Sequence, residues 1–194
     1  MKNNIVYELL KQGSRLLDDV LKDRKKFLVS ILLVLLGVLT VIKFERIFFT
    51  AVLIGLGVVS LAYIRFFRYA HYVGIELCMM ATVLISLAYG SAAGAVAGFA
   101  TITGALVLSG YFKPSYIVSV IALPMVGLIV PFFSALNLWQ LGVLMTVLYD
   151  LFVLPLYIMM GSKIESSAVF FITHVLFNYW VFTTIAPFFY TLII

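Results

Sequence analysis

The sequence predicts an all-α, polytopic transmembrane helical bundle of about seven spans, with six as the nearest alternative. Three observations predict it: apolar runs of membrane-crossing length, a scarcity of charge, and a one-sided distribution of the charges present. Of 194 residues, 64% are hydrophobic and 11% are charged, whereas a soluble domain is about a quarter charged. A water-soluble fold has no means of hiding that much apolar surface. The net charge of +5 would point to nucleic acid in a soluble protein, but here the positions of the charges explain it. The single cysteine, Cys78, excludes an intrachain disulfide and a paired-cysteine metal site.

Residues 1–26 read as a cytoplasmic amphipathic helix. Val6, Leu10, Leu17 and Leu21 recur at helical spacing with Ile5, Leu9, Leu16 and Val20 beside them, and an apolar stripe of that period needs a surface to lie on. Glu8, Lys11, Arg15, Asp18, Asp19, Lys22 and Asp23 occupy the remainder, and Arg24-Lys25-Lys26 closes the segment. That pattern suits a helix on an anionic membrane face, or equally a solvated helical tail. No small-residue cleavage site follows the apolar run 27–42, so that run is expected to be a retained span rather than a signal peptide. The transmembrane bundle is expected to occupy 27–194, its further spans bounded by charge, Gly and Pro at 47–64, 72–89, 91–112, 115–135, 138–160 and 166–193.

Basic residues test this division. With the N-terminus inside, Lys2, Lys11, Arg15, Lys22, Arg24, Lys25, Lys26, Arg65, Arg68, Lys113 and Lys163 are cytoplasmic, and only Lys43 and Arg46 are external. Such an excess is the signature of cytoplasmic loops and puts the N-terminus in the cytoplasm; the plasma membrane is the expected host. The connections at 43–46 and around Gly90 are short enough for tight hairpins.

Gly90, Gly94 and Gly98 recur at four-residue spacing, a glycine zipper continued by Gly104 and Gly110. Small residues at this period let helix backbones approach closely, either inside the bundle or against another membrane protein. Ionisable residues inside spans carry more information, because an acid at mid-membrane costs about 2.5–3.5 kcal/mol on insertion scales. Asp150 and His174 lie roughly 15 and 12 Å from the same membrane face at the helical rise per residue. They are therefore expected to meet, with Asn178 one turn beyond His174 on the same edge. Glu76 is shallower, near Arg65 and Arg68, which could partly neutralise it as an interfacial ion pair. Three uses compete for this group: a hydrogen-bonded clasp between helices, a site for a proton or a small solute, and an intramembrane metal or hydrolase site. An acid beside an imidazole makes the second responsive to pH. Pro124, Gly127, Pro131 and Pro155 add kinks of the kind found where transporter helices are interrupted, although membrane helices also tolerate proline for packing alone.

His174-Val-Leu-Phe-Asn178 resembles the His-x-x-x-Asn element of intramembrane CAAX-type metalloproteases. The chain has no adjacent glutamates, so the carboxylate pair needed to bind a metal and activate water is missing. No Walker loop, His-Glu-x-x-His helix or Ser-His-Asp order is present either. No catalytic residue, metal or cofactor is therefore expected.

The run Tyr89-Gly90-Ser91-Ala92-Ala93-Gly94-Ala95-Val96-Ala97-Gly98-Phe99, which follows a short apolar span, resembles the glycine-rich early helices of small S-component-like membrane proteins. That group holds the substrate-binding subunits of energy-coupling-factor vitamin transporters and the MreD-like shape-determining proteins. The resemblance covers residues 70–194 and implies a partner-dependent bundle of about six spans, so the first helix here would be an addition.

Two functions follow as expectations. The first is a small-solute binding or transport subunit working with a membrane protein partner or a second copy, its cavity formed by Asp150, His174, Asn178 and Glu76. The second is a non-catalytic envelope scaffold that uses the Gly90, Gly94, Gly98 ridge as its partner face. An intramembrane enzyme ranks below both. The bilayer is a partner in every case, and nucleic acid in none.

Overall fold

A computed structural model describes residues 23–67, 72–110 and 112–194. All regular structure among them is helical. The chain divides into two compact units, Met1–Glu45 and Arg46–Ile194.

In the first unit the described structure is helix α1, Arg24–Lys43. Asp23 starts it: its Oδ1 accepts the backbone N–H groups of Lys25 at 2.9 Å and Lys26 at 3.4 Å. An acid there satisfies donors that a first turn otherwise leaves open and offsets the unfavourable placement of Arg24-Lys25-Lys26 at the positive end of the helix dipole. Phe27, Leu28, Val29, Leu32, Leu33, Leu35 and Leu36 are all exposed, as expected of apolar residues that face lipid. The amphipathic helix expected at 1–26 lies outside the described residues up to position 22.

Helix α2, Glu45–Ser60, belongs to the second unit from Arg46 onward and is continued by a 3₁₀ turn Ala62–Arg65. Then come α3, Cys78–Tyr89; α4, Ser91–Ser109; α5, Tyr116–Ile129, extended by a 3₁₀ turn Val130–Phe133; α6, Leu138–Met159; and α7, Ile164–Trp180. A π turn, Val181–Ile185, joins α7 to α8, Ala186–Ile193. Pro187 at the start of α8 explains that turn: its missing N–H removes a bond to the carbonyl one turn back, and the wider turn absorbs the gap. Five of these segments are long and apolar enough to cross a membrane: Glu45–Arg65, Ser91–Ser109, Tyr116–Phe133, Leu138–Met159 and Ile164–Ile193. Their bounds agree closely with the spans expected from charge and proline.

The expectation of a helix over 72–89 needs correction. The helix α3 has only 12 residues, about 18 Å at the helical rise and well short of the ~30 Å hydrocarbon layer. Residues 72–77 instead form a mostly irregular strap. Uniform hydropathy hides this break, because Val73, Gly74 and Ile75 are as apolar as a helix requires.

Helix α3 is the axis of the second unit, with every residue from Cys78 to Ser86 buried. It packs against α4, α5, α6 and α8, and its sequence is apolar around the whole circumference, the pattern of a helix enclosed by others. Arg46 lies over the Tyr89 ring at 5.8 Å, and Gly57 lies against the backbone of Cys78, so α2 runs antiparallel to α3. Gly90, with φ of +92°, makes the tight turn into α4, a conformation that an L side chain resists. Gly94 and Gly98 are buried. A Cβ at Gly94 would meet Ser86 of α3 at 2.4 Å, one at Gly98 would meet the Leu123 carbonyl of α5 at 2.8 Å, and one at Gly127 would meet the Gly94 carbonyl carbon at 2.3 Å. Gly94 and Gly98 are therefore internal contacts between α4 and its neighbours, whereas Gly90 is exposed with open space where a Cβ would stand. Ser86 Oγ closes the junction by donating to the Gly127 carbonyl at 2.6 Å.

Candidate functional site

The polar centre of the second unit is built on His174. Its Nδ1 lies 2.8 and 3.0 Å from Oδ1 and Oδ2 of Asp150 on α6, and its Nε2 lies 3.0 Å from Oε1 of Glu76 on the strap. Asp150 and His174 meet as their depths in the sequence predict. The partner of Glu76 differs from the expected one. It reaches His174, 98 positions along the chain, rather than an interfacial pair with Arg65; Arg68 lies outside the described residues. The imidazole thus bridges two carboxylates from two different elements and is itself 1% exposed.

Glu76 also caps α3. Its carboxylate accepts the N–H of Cys78, and that of Met79 at 3.1 and 3.3 Å. A carboxylate on the first N–H groups of a helix is stabilised by both hydrogen bonding and the helix dipole. Gly74 allows the strap this close to α7: a Cβ there would meet His174 Cβ at 2.3 Å. Its N–H donates to Thr173 Oγ1 at 2.9 Å. Tyr63 Oη donates to the Val73 carbonyl at 3.0 Å, and the Leu77 N–H donates to Ser60 Oγ at 2.9 Å. The strap is therefore held from α2 and its 3₁₀ turn on one side and from α7 on the other.

A cavity of about 110 Å³ opens beside this centre, several times the roughly 10–15 Å³ that one water needs. Leu61, Ile64, Met79, Ile102, Leu106 and Leu123 supply an apolar lining from α2 and its 3₁₀ turn, α3, α4 and α5. Glu76, His174, Ser119, Tyr149, Tyr157 and Lys113 supply a polar one, mostly from α5, α6 and α7. Tyr149 Oη donates to Ser119 Oγ at 2.6 Å, and Ser119 Oγ lies 2.6 Å from Tyr157 Oη. These three hydroxyls form a chain across the α5–α6 contact. The rings of Tyr149 and Phe170 flank His174 at centroid distances of 5.8 and 5.1 Å and fix the imidazole plane.

Two of the residues expected to line the cavity stand behind it. Asp150 is 0% exposed and orients His174 from the far side. Asn178 lies one turn past His174, as its spacing implies, but its Nδ2 donates to the His174 carbonyl at 3.1 Å, and its buried Oδ1 has no hydrogen-bond partner. A shared helix face does not fix rotation about χ angles, and the nearby backbone carbonyl captures the amide. The hydroxyl chain was legible only as Ser119 in an apolar span and as Tyr149 and Tyr157 at a spacing of two turns. The strap left no local signal apart from Gly74.

With each ring nitrogen of His174 facing a carboxylate, the imidazole has no free nitrogen for a metal or a substrate in this arrangement. Among the described residues no group of three or more His, Cys, Asp or Glu side chains is arranged to hold a metal ion. The protein matches no family model, no curated protein and no solved structure.

Proposed function

We propose that this chain is a multi-pass membrane protein that binds or carries a small solute in the cavity between α2 and α7. The carrying observation is the placement of an ionisable cluster, Glu76–His174–Asp150, against a cavity that is otherwise largely apolar. Charged groups inside a membrane bundle are costly and tend to mark a solute or ion path. The mixed lining suits a solute with both an apolar body and hydrogen-bonding groups. The interrupted pass formed by the strap and α3 resembles the broken helices at which transporters bind their cargo.

In this reading α1 and the strap with α3 complete seven passes. Ile64, Lys113 and Ser162 line the cavity beside Arg65 and Lys163, the basic end of the bundle, and the bias of basic residues favours a cytoplasmic position for that end. The membrane is the plasma membrane. No nucleotide-binding loop is present in the sequence, so energy comes from a partner subunit or an ion gradient, in keeping with the S-component-like resemblance. Binding is favoured over catalysis because His174 is fully engaged by its two carboxylates. A scaffold that docks its partner on Gly94 and Gly98 loses that contact face, since both glycines lie between helices of the same chain.

Leu106→Trp, which enlarges an apolar side chain of the cavity wall, tests this reading. Adding the small-molecule fraction of a cell extract is expected to raise the thermal unfolding midpoint of the wild type and to leave that of Leu106→Trp unmoved. Equal shifts for both proteins would remove the cavity as the binding site. Asp150→Asn is expected to weaken the same response by about tenfold in apparent affinity, corresponding to roughly 1.4 kcal/mol, with helicity retained.

A further inference from the structure

The hydrogen bonds around His174 fix how many protons the cluster holds. Two contacts, Nδ1 to Asp150 and Nε2 to Glu76, each need one bridging hydrogen. Two protons supply them whether the imidazole carries both or one sits on a carboxyl group. With one proton fewer, a bare ring nitrogen faces a carboxylate oxygen at about 3 Å. With one more, a carboxyl O–H must find an acceptor. Of the two carboxylates only Glu76 can exchange a proton with water in the cavity, because its side chain is 10% exposed and lines it, whereas that of Asp150 is 0% exposed.

A proton on Glu76 conflicts with what its carboxylate already does. The N–H groups of Cys78 and Met79 and the Nε2 edge of His174 all converge on its two oxygens. With both imidazole nitrogens protonated, an O–H on Glu76 faces only donors, so this further proton forfeits at least one of these bonds and weakens the cap of α3. Other ties of the strap include single hydrogen bonds to Thr173, Ser60 and Tyr63. The other ionisable groups facing the strap and His174 are Tyr63 beside α2, Tyr72 on the strap, Cys78 on α3, Lys113 and Tyr116 at the start of α5, and Tyr149 and Tyr157 on α6. His71, next to the strap in sequence, lies outside the described residues.

We propose that Glu76 takes up a proton from water in the cavity, and that its neutralisation releases strap 72–77 from α7 and α3, so that the cavity opens with proton binding. The proposal rests on the solute-binding reading of the same cavity and makes that site proton-linked. Glu76 is the proton acceptor, His174 holds it in place, and Asp150 is a positioning residue. The proton comes from solvent and returns to it, and no covalent bond to carbon changes.

Cys78 is a natural reporter. It is the chain's one cysteine, it is 1% exposed, it lines the cavity, and it lies directly after the strap. The test measures its labelling by dithiodipyridine in the full-length protein in detergent, with each rate divided by that of glutathione at the same pH to remove thiol chemistry. Wild type is expected to label at least tenfold faster in acid than at neutral pH, and Glu76→Gln to label fast at both. Glu76→Asp, which keeps the charge, is expected to retain the pH dependence. A wild-type rate that does not change with pH, or an unaltered pH dependence in Glu76→Gln, overturns the proposal. Should Glu76→Gln fail to fold, amide exchange of residues 72–80 in wild type decides: faster exchange in acid, after correction for intrinsic rates, supports the proposal, and no change overturns it. Retention of solute is followed in parallel. A pH-independent strap in a protein that holds solute removes the proton link and leaves the binding reading. A pH-driven strap in a protein that never holds solute supports the proton-driven strap and removes the binding reading.

Discussion

Replacing His174 by leucine is expected to destabilise the folded chain by about 3–5 kcal/mol, the range for removing one partner of a buried charged pair. Two carboxylates lose their shared neighbour at once. Asp150 is fully enclosed and has no second side-chain partner among the described contacts, while Glu76 keeps only the backbone N–H groups of α3. The cost therefore falls mainly on Asp150. The double variant His174→Leu with Asp150→Leu removes the stranded charge and is expected to recover more than half of the loss, because replacing a whole buried pair by apolar residues is often near neutral. Unfolding by denaturing detergent, followed by helical circular dichroism, reads both values. A single variant as stable as wild type would mean that the cluster is hydrated and screened rather than buried.

The second large effect is expected at the α3–α4–α5 junction. Gly94→Leu should abolish cooperative unfolding, since its first side-chain carbon alone would lie 2.4 Å from Ser86 Cβ, and Gly127 of α5 lies against the same turn. Overpacking typically costs about 1–3 kcal/mol and more where backbone rather than a flexible side chain must move. Val96→Leu, at a position two residues along the same helix that is 68% exposed, is the control and should unfold like wild type. A folded Gly94→Leu protein that loses only a co-purifying partner would instead place the ridge on an outer face.

Much of this architecture is legible in the sequence because a membrane helix is announced by what bounds it. Arg65, the Gly110–Pro114 stretch and Asn137 each end or start a helix within a residue or two of the observed limits. The meeting of Asp150 and His174 was also readable, since depth along a straight helix is simple arithmetic from the helical rise. Glu76 was not readable in this way. Its sequence neighbours Arg65 and Arg68 offer the obvious pairing, but the strap turns the carboxylate inward, and the choice depends on where α7 stands, which hydropathy does not encode. The same limitation applies to Asn178, whose edge was right and whose hydrogen bond was not. The hydroxyl chain through Ser119 escaped because serine and tyrosine are unremarkable singly in an apolar span, and only the packing of α5 on α6 brings their oxygens within 2.6 Å.

In the living membrane the cavity beside His174 is expected to be filled by a small solute. Native mass spectrometry of the protein, released gently from its own membrane, reads this occupancy, because it weighs bound small molecules and bound proteins together. The expected result is one small molecule per chain, retained by the wild type and absent from Leu106→Trp. A bare chain, or one carrying protein partners without any solute, would contradict it.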